Sequence, residues 1–166
     1  SEAACVFGSG YLANTGIIPA LTGPGDLILL DELSHACIHA GANLSESEIR
    51  LFRHNDTDHL QSLLERERKQ FRHVLVVTEG IFSMDGDLAP LPDIAALAKQ
   101  HDAWLMTDDA HGIGVVGGGR GSAHVSDPPA EVPLQMSTLS KAIGTSGGHF
   151  CGSRQVVELN KTHPPR

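Results

Sequence analysis

The sequence predicts an α/β protein with a mainly parallel sheet and helices on both faces. Three observations carry that expectation. Short apolar runs alternate with segments of helical periodicity along most of the chain. One run, Val74-Leu75-Val76-Val77, is apolar without alternation, the pattern of a strand buried on both faces. Glycine is abundant at 18 of 166 residues while aromatics make up only 4%, which suits a Val, Ile, Leu and Ala core joined by tight loops. With 40% hydrophobic residues the chain can fill one compact domain.

The elements follow in order. SEAACVFGSG reads as the end of a helix running into a loop, and GSGYLANTG as a loop entering the next helix. LILLD, Leu27 to Asp31, is the first strand, and His35 in DELSHACIHAG opens a helix after it. EIRLFRH, Glu48 to His54, is the second strand. Asp56 then caps DTDHLQSLLERERK, whose Leu60, Leu63 and Leu64 share a face. HVLVVTEG, His73 to Gly80, is the third strand. LPDIAALAKQH follows as a helix, with Pro92 near its start and Ile94, Leu97 and Ala98 together. AWLMTDD, Ala103 to Asp109, is the fourth strand. The glycine-rich stretch after it reads as an excursion before one more strand, and VVELNKTHPPR as a helix just beginning. Strands spaced by helices of this length imply right-handed crossovers in a parallel sheet.

Charge and composition narrow the function. A formal charge of −8 without a basic run speaks against nucleic acid. The sequence holds no apolar run of membrane-spanning length and no leader-like opening, so neither a membrane nor export is expected. Cys5, Cys37 and Cys151 are odd in number and form no CxxC pair, which fits structural thiols in a reduced, cytoplasmic setting.

Parallel sheets bind ligands beyond the carboxyl ends of their strands. Asp108 in TDDAHG would leave the sheet there, poorly solvated, with His111 in the following turn; a buried carboxylate needs a cationic or hydrogen-bonding partner. Glu79 and Ser83, in TEGIFSMDGD, would share that rim. Lys141, one of four lysines, stands among Ser, Thr and Gly in MSTLSKAIGTSGG, where a desolvated amine could attack a carbonyl. A lysine for a Schiff base and an aspartate for a pyridinium nitrogen are the pairing that pyridoxal phosphate needs. Backbone N–H groups of Gly10 and Tyr11, where a loop enters a helix, could cradle its phosphate, with hydroxyls of Thr138 and Ser140 nearby. His35 could lie against its ring.

Two other readings meet difficulties. Gly112 to Gly117 spell G-x-G-x-x-G after a strand, but no helix follows to face a dinucleotide, and no acidic residue ends a further strand to hold a ribose. His35 and His39, four apart, with Asp108, Asp109 and His111 could suggest a metal; His39 has no evident partner, and a metal leaves Lys141 unexplained, so no metal is expected.

The pieces SGYLAN, DELSHA, FRHND, TEGIFSMDGDLAPL, TDDAHGIGVVG and TLSKAIG, spread over nearly the whole chain, resemble the α-oxoamine synthases. These are fold-type I pyridoxal-phosphate enzymes that join an amino acid to an acyl thioester with loss of CO2. The resemblance implies Lys141 as the Schiff-base lysine, Asp108 on the ring nitrogen, His111 on the phenolic oxygen and His35 stacked on the ring. It implies Ser83 at the ring edge, Gly10, Tyr11 and Thr138 on phosphate, and a supporting role for Glu79. Within the family the motifs look most like members that condense L-alanine with a pimeloyl thioester, carried on CoA or a carrier protein, to 8-amino-7-oxononanoate for biotin. Glycine or serine as the amino acid is an open alternative, as is a non-catalytic fragment acting as a binding partner. Against the family, residues 1–166 correspond to the central part of the large domain. The N-terminal segment and the C-terminal small domain, with the substrate-carboxylate arginine, are expected to be missing. The family implies a homodimer in which a segment near NKTHPPR would reach the neighbouring subunit, and that match is poor.

Overall fold

The computed structural model describes residues 1–162. Seven strands form one sheet in the order β1-β7-β6-β5-β4-β2-β3. Chain order gives β1 (Ala3–Phe7), α1 (Gly10–Leu21), β2 (Leu27–Asp31), α2 (Ala36–Leu44), β3 (Glu48–Phe52) and α3 (Thr57–Glu67). Then come β4 (Val74–Glu79), α4 (Leu91–Gln100), β5 (Trp104–Asp108), β6 (Leu134–Thr138), β7 (Gly148–Gly152) and α5 (Arg154–Thr162). The strands β3, β2, β4, β5 and β6 pair in parallel, while β7 runs antiparallel to β6 and to β1.

The unbroken apolar run of β4 is buried at every position, and its side chains alternate between two cores. Val74 and Val76 pack with Leu60 and Leu64 of α3 and Ile94 of α4. Leu75 and Val77 face the other way, onto Ile17 and Ile18 of α1 and Ile38 of α2. Helices therefore cover both faces, as the pattern predicted. Asp56 caps α3 by accepting from the His59 N–H at 2.8 Å.

The opening segment is a correction. Ala3 to Phe7 is a strand, not the end of a helix. Ala-Ala-Cys has no strong local preference for extended backbone, and tertiary pairing decides the matter. The edge of β7 offers antiparallel partners from Gly152 to Gly148. Ala3, Cys5 and Phe7 then turn inward against the core while Ala4 and Val6 face out. The sequence reading of NKTHPPR concerns the side chains of residues 160–166, which lie outside the described ones.

The parallel strands end together on one rim, at Asp31, Phe52, Glu79, Asp108 and Thr138. Helix α1 reaches that rim with its N-terminus and rests on α2 at close range. A methyl group at Gly41 would lie 2.5 Å from the carbonyl oxygen of Asn14, so only glycine allows the two backbones to approach. Gly41→Ala is expected to push α2 off α1 and lower stability by about 1–3 kcal/mol, read as a drop in the urea midpoint at unchanged slope.

Candidate active site

Two carboxylates sit side by side at the ends of adjacent strands, since Glu79 of β4 is in register with Asp108 of β5. Both are buried. Burial pushes the Asp108 carboxyl up to about 6, although hydrogen bonds from Asn14 and the Ala110 N–H and the nearby His35 work against it. Asn14 Nδ2 donates to Asp108 Oδ2 at 2.7 Å, and the Ala110 N–H donates to Oδ1 at 3.0 Å. Burial, reinforced by the charge of Asp108, pushes Glu79 up to about 7. Glu79 in turn accepts from the backbone N–H of His35. A pair of carboxyls held so far above their ordinary range is a site prepared for a cation or for a ligand proton.

The groups around this pair come from four segments. The 12-residue helix α1 opens at Gly10, capped by Ser9, whose hydroxyl accepts from the Leu12 N–H at 3.1 Å. Its first N–H groups have no partner within the helix, and the helix dipole favours an anion in front of them. A side chain at Gly10 would meet Cβ of Thr138 at 3.3 Å, so the missing Cβ keeps a hollow between α1 and the end of β6. Thr138 and Ser140 share a 2.8 Å hydroxyl contact, and Thr138 Oγ1 also donates to the Gly147 carbonyl at 2.9 Å. That bond and Leu139 N–H to Gly147 O at 2.8 Å close the base of the β6–β7 hairpin loop, which presents the exposed Lys141.

Gly10, Tyr11, His35, Glu79, Asp108, His111, Thr138, Ser140 and Lys141 together line one cleft of about 230 Å³. Burial, with Lys141 and His35 close by, holds the His111 imidazole below its ordinary value. A flat ring bearing a phosphate fits this donor set: helix N–H groups and hydroxyls at one end, a buried carboxylate at the other, a lysine at the edge.

Ser83 is the one predicted residue that does not line the cleft; it is exposed on the loop after β4. A separate network anchors that loop. His54 Nε2 meets Asp87 Oδ2 at 2.8 Å and its Nδ1 meets Asp31 Oδ1 at 3.1 Å. Burial opposes a charge on His54, but its bonds to Asp31 and Asp87 outweigh this and raise it above its usual value. Asn55 adds a bond to Asp87 at 2.8 Å. Sequence reading missed Asn14, Cys37 and Ser9, all at the cleft or bonded to it. The available signal for Asn14 was its place one turn after Gly10, a polar residue amid the apolar positions of GYLANTGII. Among the described residues no group of three or more His, Cys, Asp and Glu is arranged to hold a metal, and no helix is long and apolar enough to cross a membrane.

The mainly parallel sheet, with this cleft at its carboxyl rim, is the large-domain architecture of the fold-type I pyridoxal-phosphate enzymes. Residues 1–162 match the model of aminotransferase class I and II, and the chain belongs to that family. It is similar to the 8-amino-7-oxononanoate synthases of Beijerinckia indica, 61% identical over 98% of this chain and 42% of the relative, and of Methylocella silvestris, 62% identical over 98% and 46%. Among solved structures, a serine palmitoyltransferase from S. paucimobilis with bound PLP and myriocin superposes with a TM-score of 0.93 at 38% identity, over 99% of this chain and 41% of the other. An 8-amino-7-oxononanoate synthase from Francisella tularensis gives 0.81 at 27% identity, over 96% and 45%. The chain thus spans less than half the length of these relatives.

The raised carboxyls carry a signature in stability. Glu79 binds a proton in the folded state up to about pH 7, whereas its ordinary value is 4.5. Between those values the folded state holds more protons than the unfolded one, so stability falls as pH rises. In ligand-free protein, Glu79→Gln is expected to flatten this fall and raise Tm at pH 8 by roughly 5 °C, measured by calorimetry at pH 5 and pH 8.

Proposed function

We propose that the protein is a pyridoxal-phosphate-dependent acyltransferase that condenses L-alanine with a pimeloyl thioester, releasing the thiol and CO2. The observation that carries this reading is the convergence of Lys141, Asp108, His111 and His35 with the α1 N-terminus and Thr138 on one cleft. The names of the relatives at about 60% identity support the choice of substrates.

When bound, pyridoxal phosphate supplies an aldehyde that captures the amino acid and a ring that takes up negative charge. The N–H groups of Gly10 and Tyr11 would hold its phosphate, joined by the hydroxyl of Thr138 once it turns from the Gly147 carbonyl. Asp108 would present its carboxylate to the ring nitrogen, where a positive partner would offset the cost of its burial. His35, positioned through its backbone bond to Glu79, would lie against the ring face. His111, kept below its ordinary value, stands ready as a neutral partner for the phenolic oxygen. Lys141, at the edge of the cleft, would hold the aldehyde carbon, and its free amine would take the Cα proton of the amino acid. The new carbon–carbon bond joins that Cα to the acyl carbon as the thiol departs, and the lost CO2 is replaced by a proton. Ser83 would serve the ring edge only with its loop drawn inward from the exposed position anchored through Asp87. Exposed apolar side chains on the same rim, among them Tyr11, Leu33, Met84 and Ile143, support a homodimer that covers them.

Mixing the purified protein with pyridoxal phosphate is expected to give a visible absorbance band, and borohydride should then fix the cofactor on Lys141, located by peptide mapping. Lys141→Ala is expected to abolish both and to cut activity by at least 10³-fold, on the order of a lost covalent catalyst. Product formation from pimeloyl-CoA with L-alanine, but not with glycine or serine, supports the substrate choice. A preference for serine would move the reading to a different α-oxoamine synthase, and no band at all would leave a binding role.

A further inference from the structure

We infer that Asn14 is a positioning residue whose two amide N–H groups tie Asp108 to Cys37 and, through Cys37, fix the ring of His35. The inference rests on the proposed cofactor site, since Asp108 and His35 are its facing groups. Asn14 is fully buried in α1. Its Nδ2 is 2.7 Å from Asp108 Oδ2 and 3.2 Å from Cys37 Sγ, so two acceptors meet the two hydrogens that an amide nitrogen carries. Its carbonyl oxygen finds no partner among the described residues. Turning the amide over would set that oxygen against the Asp108 carboxylate, which fixes the orientation.

The chain of contacts continues into α2. Cys37 Sγ lies 2.9 Å from His35 Nδ1, and the Cys37 backbone N–H donates to that same nitrogen at 3.2 Å. Nδ1 is therefore an acceptor, and the ring proton sits on Nε2. Burial, helped by the charges of Asp108 and Glu79, pushes the Cys37 thiol up despite the bond from Asn14. The sulfur thus keeps its hydrogen, which can point to Nδ1 while Asn14 donates to the sulfur lone pair. One amide so connects β5, α1 and α2, and it does so where Gly41 lets α1 and α2 touch. Neither Asn14 nor Cys37 has a polar surface role to explain it, since both are buried.

The test uses the protein without cofactor, so that its outcome is independent of whether pyridoxal phosphate binds. Asn14→Leu keeps the volume and removes the donors. The Asp108 carboxyl, followed by 13C NMR, is expected to titrate about one pH unit higher in this variant; an unchanged titration overturns the inference. Should Asn14→Leu fail to fold, the sulfur arm decides. In wild type and in Cys37→Ser, which retains an O–H donor, 15N NMR is expected to show one His35 tautomer with bare Nδ1 and sharp signals. In Cys37→Ala the signals should broaden through ring motion. Equal signals in all three overturn the inference. An intact network in a protein that binds no pyridoxal phosphate would uphold it while removing the cofactor reading.

Discussion

Two carboxyls side by side in a dry place, Glu79 and Asp108, set the terms for the rest of the rim. Adjacent parallel strands end in register, so the two groups cannot move apart without breaking the ladder between β4 and β5. Among the described residues neither meets a lysine or arginine in an ion pair, and both are pushed well above their ordinary range. The protein compensates with dipoles: the Asn14 amide, the Ala110 N–H and the His35 N–H. Dipoles soften the desolvation cost without cancelling it. A positively charged ligand atom would complete the arrangement, so the electrostatic deficit and the proposed chemistry share one physical origin.

The neighbouring segments are shaped by the same cleft. Helix α1 must bring its N-terminus to the rim and Asn14 to Asp108 at the same time, which demands near contact with α2 at Gly41 and with β7 at Gly148. A Cβ at Gly148 would fall 2.7 Å from the Ser9 carbonyl oxygen. The antiparallel turn from β6 into β7 serves a further end. A crossover helix at this point would carry the chain away from the rim, whereas a hairpin loop returns within a few residues and leaves Lys141 at its mouth. The His54 network holds the loop after β4 from the far side, with Phe82 packed edge-on to the His54 ring at 4.4 Å.

Much of this architecture was legible in the residues. The β4 run, the leucine face of α3 and the cap at Asp56 are local patterns, and each appears where the sequence placed it. Lys141, Asp108, His35 and His111 stood out as candidates because chemistry-bearing residues near strand ends are conspicuous, and the fold brings them to one cleft. Asn14 was not, because a buried asparagine inside a helix acquires meaning only from the acceptors that tertiary packing brings to it. Ser83 shows the reverse: its motif was plain, but its loop lies outside the cleft, held through Asp87 by His54 and Asn55.

The sequence by itself determined the alternation of strands and helices, the strand that is buried on both sides and the set of candidate groups for a cofactor. These follow from hydrophobic periodicity and side-chain chemistry, which are properties of short stretches. Only the tertiary structure decided that Ala3 to Phe7 is an edge strand, that Glu79 lies beside Asp108, and that one amide joins Asp108 to Cys37. Those are contacts between segments as much as 149 residues apart, as for Ala3 and Gly152, and no local pattern carries the free energy of a partner that the chain has yet to meet.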